Sequence, residues 1–153
     1  MPLLATTLDI GGHAITLAIQ KFANVSEEEA KKIKAEQGLV VGENEGGYLD
    51  AMISTVSVIR EEIVKRLEYW QAQAGQSPFR SPVTRAILIG GNASLRGFAE
   101  YLESSLHIPV ELGDVFSNLA GRDAWLPEID YTESLAYSTV VGLALRRYHH
   151  TDV

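Results

Sequence analysis

The segment from Arg85 to Phe98 constrains this chain more than any other. Ala86-Ile87-Leu88-Ile89 is an apolar run without polar alternation, closed at once by Gly90-Gly91-Asn92. A helix is then expected over about Ser94 to Leu106, with Leu95, Phe98, Leu102 and Leu106 on one face. A short apolar run bounded by glycine predicts a strand covered on both faces, the kind found in parallel sheets flanked by helices. His107 to Leu112 reads as a second strand, interrupted by Pro109. Strand, helix and strand in that order predict an α/β fold.

The residues before this unit are predominantly helical in pattern. Leu3 to Ile10 predicts a short strand, broken by Gly11-Gly12, and a helix over 14–23 places Ile15, Ala18, Ile19 and Phe22 together. Ser26 with Glu29 is a capping-box pair that predicts a second helix, ending near Gln37 before Gly38. Residues 40–47 read as a flexible loop. A long helix over 49–74 keeps Met52, Val56, Ile59, Ile63, Leu67 and Trp70 on one stripe. A loop with Pro78 and Pro82 precedes the βαβ segment, and 113–130 is irregular. The last helix, over 132–147, carries Ser134, Ala136, Ser138, Gly142 and Ala144 as a small-residue face suited to close packing. We therefore expect a helical insertion over about 24–75, flanked by an α/β part made of 1–23 and 76–153.

Composition narrows the function classes. The 153 residues carry a formal charge of −7, which disfavours a nucleic-acid or anionic-membrane surface. The chain has no cysteine, so disulfides and thiolate metal sites are excluded. No apolar run approaches the roughly 20 residues of a membrane span, and Met1 to Leu4 lacks a signal-peptide pattern. The four histidines show no ligand spacing with carboxylates, and no Ser/His/Asp order suggests a hydrolase. Glu27-Glu28-Glu29 ahead of Lys31, Lys32 and Lys34 reads as helix-dipole and i,i+4 charge pairing rather than a metal cluster. Trp70 and Trp125 read as packing residues, with a partner surface the alternative for Trp125.

The paired glycines carry the chemistry. Backbone without a Cβ lets a flat ring approach closely. A helix N-terminus beyond it offers free N–H groups and a positive dipole end. In open α/β sheets, ligands bind past the C-terminal ends of strands. Gly90, Gly91, Asn92 and Ala93 are thus candidate binding residues; a plain strand–helix turn is the alternative reading of the same residues.

This segment resembles the adenosine motif of the actin-like ATPases (apolar strand, Gly-Gly-x-Ala/Ser, helix). The resemblance is to the PilM family of type IV pilus assembly proteins, related to FtsA and MreB. Gly11-Gly12-His13-Ala14-Ile15-Thr16-Leu17-Ala18-Ile19 is similar to that family's Gly-Gly-x-x-(Ile/Phe)-Thr-x-Ala-Ile. Val25 to Lys34 is similar to its next helix, Arg80 to Glu111 to its adenosine motif and following strand, and Tyr137 to Leu145 to its closing helix. The resemblance implies the C-terminal lobe of an actin-like (ribonuclease H-like) ATPase, incomplete at its N-terminus, with an inserted helical subdomain. It implies ATP with Mg²⁺ as cofactor in the full-length parent, and weak or absent binding and no turnover here. The implied place is the cytoplasmic face of the inner membrane, in pilus assembly and twitching motility. The implied partners are the cytoplasmic tail of a PilN-like protein and other pilus assembly proteins. An exposed seam left by a missing lobe would favour self-association.

Two details bear on the nucleotide. Leu8-Asp9-Ile10-Gly11-Gly12 mimics the family's second phosphate loop, but capped helices follow without a hairpin, so Asp9 reads as a strand-end residue. In related bacterial actins the charged helix carries Ala-Glu-x-Ile-Lys near ribose and base; here it is Ala30-Lys31-Lys32-Ile33-Lys34. Lys34 keeps its place and Lys31 replaces the glutamate. A lysine cannot accept hydrogen bonds from ribose hydroxyls, which passes that role to Glu28 or Glu29 if it is kept. An interaction module without nucleotide is the main alternative function. A sugar or acetate kinase is a further one, lacking a visible catalytic Asp and substrate loop.

Overall fold

The computed structural model describes residues 5–40, 47–74, 81–119 and 128–149, with side chains to 146. Helices α1 (Gly12–Ala23), α2 (Glu27–Gln37) and α3 (Tyr48–Gln73) come first. Strand β1 (Ala86–Leu88), helix α4 (Phe98–Leu106) and strand β2 (Val110–Leu112) form the βαβ unit. A short α5 (Tyr131–Ser134) leads through a 3-10 turn, Leu135–Tyr137, into α6 (Ser138–His149). The strands run parallel, pairing Ala86 with Val110 and Leu88 with Leu112, as the crossover through α4 requires.

Local chemistry sets both ends of α2 and the end of α1. Ser26 accepts the Glu29 N–H at 3.2 Å, the N-cap half of the capping box. Asn24 closes α1 in the left-handed region, φ 54°, which asparagine tolerates. Gly38 ends α2 at φ 59° and ψ −150°, backbone open essentially to glycine alone. A Cβ there would lie 2.5 Å from the Arg96 carbonyl oxygen. That oxygen instead accepts the Leu39 N–H at 2.7 Å, and the Arg96 guanidinium donates to the Glu36 carbonyl at 2.6 Å. Two hydrogen bonds thus tie the end of α2 to the turn before α4.

The core lies where α1 and α3 meet and continues to α4. Ile15 and Ile19 of α1, Met52 and Val56 of α3, Ala30 of α2 and Leu102 of α4 are almost wholly buried in one cluster. The α3 stripe read from the sequence is therefore the packing face, with Ile59 and Ile63 half-buried at its edge. Trp70, farther along, is half-buried and donates its indole N–H to Ser81 O at 2.8 Å.

Several expectations need correction. Residues 5–10 form no strand; Leu3 and Leu4, like the 41–46 part of the expected loop, Pro78, Trp125 and His150, lie outside the described residues. The β1 segment is not covered on both faces: Ile87 and Ile89 are 53% and 63% exposed. Among the described residues the sheet has two strands, and nothing covers that face. The helix expected from Ser94 starts at Phe98, because Gly97, at φ 78°, holds 92–97 in successive turns. The last helix is interrupted at Leu135–Tyr137. Its small-residue face is buried at Ser134 and partly covered at Ser138; Ala136 and Ala144 are exposed, and a Cβ on Gly142 would meet nothing within 4 Å. No helix among the described residues is long and apolar enough to cross a membrane.

Candidate functional site

A cleft of about 800 Å³ opens between the helices and the β1–α4 turn. Gly12, His13 and Thr16 of α1 and Glu27, Lys31, Lys34 and Ala35 of α2 line one side. Gly91, Asn92, Ser94, Leu95 and Arg96 line the other, with Thr132 of α5.

Lys34 joins the two sides. Its ammonium donates to Asn92 Oδ1 at 2.8 Å and to the Gly12 carbonyl at 3.2 Å. Desolvation lowers its pKa from the usual lysine range. The Gly12 carbonyl also accepts the Thr16 hydroxyl at 3.2 Å. Asn92 presses against Gly12 so closely that a Cβ at Gly12 would overlap its amide. Gly12 is thus required as the floor on which the Asn92 amide rests, a role its sequence neighbourhood does not announce.

The turn itself is built from backbone. Gly90 takes φ 94°, its N–H donates to Leu135 O at 3.0 Å, and its carbonyl accepts the Ala93 N–H at 3.0 Å. Gly91 is exposed, and a Cβ there would meet only Ala136 Cβ, at 3.6 Å. Ser94 Oγ donates to the Gly91 carbonyl at 2.8 Å, fixing the peptide plane. The result is a turn braced by its own main chain, with the exposed Gly91 backbone on the cleft beside the Asn92 and Lys34 side chains.

Of the candidate residues, the fold brings Gly91, Asn92, Lys34 and Lys31 to one cleft. Gly90 shapes the turn, and Ala93 is buried beneath it; neither lines the cleft. The helix start expected beside the glycine pair is displaced to Phe98, so the N–H groups at the cleft belong to α1, whose N-cap Gly11 supplies no side-chain partner. Lys31 is engaged with Glu27 at 2.7 Å, an i,i+4 pair that lowers the glutamate's pKa and raises the lysine's. Glu27, and not Glu28 or Glu29, is the acidic residue on the cleft. His13, Thr16, Arg96 and Thr132 also reach it. Arg96 follows the glycine motif closely enough to have been considered, whereas Thr132 is remote in sequence and carried no local signal.

The residues present suit a flat, polar, anionic ligand. The turn offers bare backbone to a ring, the start of α1 offers N–H groups and the positive end of its dipole, and Lys34 offers a desolvated donor. For a metal the donor set is poor: among the described residues no group of three His, Cys, Asp or Glu could hold one.

Known proteins place these features in a family. No protein of curated function matches the chain. Among solved structures, a chain of a "PilM-PilN type IV pilus biogenesis complex" superposes with a TM-score of 0.72 at 24% identity. The match covers 91% of this chain and 37% of that one, so this chain spans little more than a third of its relative's length, and the two share a fold over that part. The family model described as "Type IV pilus assembly protein PilM" matches residues 5–148, nearly the whole sequence. The chain belongs to the PilM family of type IV pilus assembly proteins.

Proposed function

We propose that this chain supplies the adenosine side of an ATP cleft in a PilM-type component of type IV pilus assembly. The observation that carries the reading is the Lys34 ammonium, bonded to Gly12 O and Asn92 Oδ1 beside the bare Gly91 backbone. The adenine lies against Gly91 and Asn92, and the phosphates run toward the N–H groups at the start of α1. Lys34 positions the base, and the first turn of α1 holds negative charge. ATP, when bound, supplies a phosphoanhydride, but no turnover is expected from this chain alone. Mg²⁺ in the parent depends on residues outside the cleft described here.

The finer architecture belongs to the same reading. Residues 24–75 form the helical insertion, and 1–23 with 76–153 the α/β part, of an actin-like second lobe. The protein works at the cytoplasmic face of the inner membrane, with a PilN-like tail as partner. That partner is supported by the matched structure, which is a complex of PilM with PilN. Twitching motility and self-association of the isolated chain follow from the same placement.

Titration with ATP tests the cleft. Gly91→Asp places a carboxylate where the ring lies and should weaken ATP by about tenfold or more, the effect of roughly 1.4 kcal/mol. Unchanged affinity in a folded variant sinks the assignment. A second reading, an interaction module without nucleotide, predicts no ATP-dependent signal at all.

A further inference from the structure

We propose that the outer edge of β1 docks a second copy of this chain, the two β1 strands pairing antiparallel about a two-fold axis at Ile87. This gives the self-association proposed above a surface and a symmetry. It stands apart from the cleft and from any nucleotide.

The fold treats the two edges of the sheet differently. Ala86 and Leu88 turn their backbone toward β2: the Ala86 N–H donates to Pro109 O, and Leu88 O accepts the Gly113 N–H, both at 2.9 Å. Alternate residues of a strand bond to opposite edges, so the N–H and C=O of Ile87 and the N–H of Ile89 point outward. Among the described residues no strand and no hydrogen bond meets them. The outer edge of β2 is closed instead. Its Val110 N–H donates to Glu103 Oε2 at 3.0 Å, and its Leu112 carbonyl accepts the Tyr131 hydroxyl at 3.1 Å. Side chains cap the outward groups of β2, and none caps those of β1.

The open edge also lacks the usual guards. Natural edges are blunted by charge, proline or a bulge. The middle of this one is Ile87, and Ile89 stands on the same face; both are more than half exposed. Beside the edge, an apolar groove of about 540 Å³ runs past Thr6, Leu8, Val83 and Ala86. No hydrogen bond joins residues 5–10 to β1 across it. A bare, apolar strand edge is a template for another strand.

A second copy fits this edge because the edge complements itself. With the axis at Ile87, each Ile87 N–H meets the Ile87 carbonyl of the other chain, as an isologous contact requires. Arg85 then stands opposite Ile89 of the second copy, so no like charges face each other across the strands. The two-stranded sheets join into one of four strands, a commoner size for a stable sheet. The contact is small. A few residues of main chain and two isoleucines fall short of the roughly 800 Å² per partner of a stable interface. Each chain also brings a charge of −7. The dimer is therefore weak, forming at about 0.1–1 mM protein.

The chain has no cysteine, so single-cysteine variants report the register directly. Ile87→Cys places two thiols on the axis at a Cα separation of about 5.5 Å, within disulfide reach. Ile89→Cys places its two thiols roughly 13 Å apart along the strands, out of reach. At about 0.5 mM protein, oxidation should link Ile87→Cys about tenfold or more faster than Ile89→Cys. A mixture of Ile89→Cys with Arg85→Cys should give the mixed dimer. Sedimentation should show the wild type passing from monomer toward dimer over the same concentrations. Ile87→Lys sets two cations on the axis and should stay monomeric, with unchanged circular dichroism. A wild type that is monomeric at about 1 mM overturns the proposal. Equal linking of Ile87→Cys and Ile89→Cys also overturns it, whether or not Ile87→Lys folds. A dimer that survives Ile87→Lys overturns it too, because the contact then lies on another surface. None of these outcomes bears on ATP binding, so the nucleotide reading stands or falls by its own titration.

Discussion

The helical side and the β1–α6 side of this molecule both carry large apolar residues, yet among the described residues only one is covered. Met52, Val56 and Leu102 are within 1% of complete burial. Ile87, Ile89, Val140 and Leu143 are all more than half exposed. The difference lies in partners rather than hydrophobicity. Helices α1, α2, α3 and α4 pack on one another, whereas α6 meets chiefly the 3-10 turn before it. Scattered apolar residues on a surface are ordinary, but here they recur on one strand and one helix of the same side. The cleft sits between the two regions: α1 and α2 give it a rigid wall, and the turn after β1 gives it a wall supported from one side.

The strongest way to break this comparison is to remove packing from the covered side. Leu102→Ala should lower unfolding free energy by about 2–5 kcal/mol, through lost transfer energy and an unfilled cavity. On the other side, Val140→Ser and Leu143→Ser remove comparable apolar volume from surfaces already in water. Each should fall within about 0.5 kcal/mol of the wild type in urea denaturation. A loss at Val140 as large as that of a core truncation would mean that α6 is packed in solution, and the contrast would collapse.

What could be read from the sequence follows the same division. The α3 stripe, the Ser26 cap and the Gly38 stop are local signals, and all three mark real features. The β1–α4–β2 order was legible because glycine and periodicity punctuate it. Coverage of β1 was not legible: Ile87 and Ile89 have the composition of a buried strand, but burial depends on neighbours the strand does not encode. The start of α4 was missed because Gly97, at positive φ, outweighs the periodicity that begins at Leu95. Part of the cleft was legible for a similar reason. Gly91, Asn92, Lys34 and Lys31 sit in recognisable motifs, whereas Glu27 reached the cleft through an ion pair that the sequence showed only as helix charge patterning. Thr132 reached it only through tertiary folding.

The subtlest test uses two lysines one turn apart on α2. Lys31 is exposed, and its hydrogen bond to Glu27 raises its pKa above 10.5; Lys34 is desolvated, and its pKa is lowered from the same value. Linkage gives them opposite signs. The unfolded chain titrates Lys34 near 10.5, so between its lowered folded value and 10.5 the unfolded state binds more protons. Stability from Lys34 therefore rises with pH through that window. The contribution of Lys31 is fully present below 10.5 and is lost as pH climbs through its raised folded value. Urea denaturation of the wild type and Lys34→Met, compared at several pH values below 10.5, isolates the first effect because all other titrations cancel in the difference. The wild type should gain on the variant as pH rises. Solvent at the cleft mouth screens this shift, so it should be the smallest of the effects considered. A difference that stays flat would mean that Lys34 is as hydrated as Lys31, and that the wall joining α2 to the Asn92 turn opens freely to water.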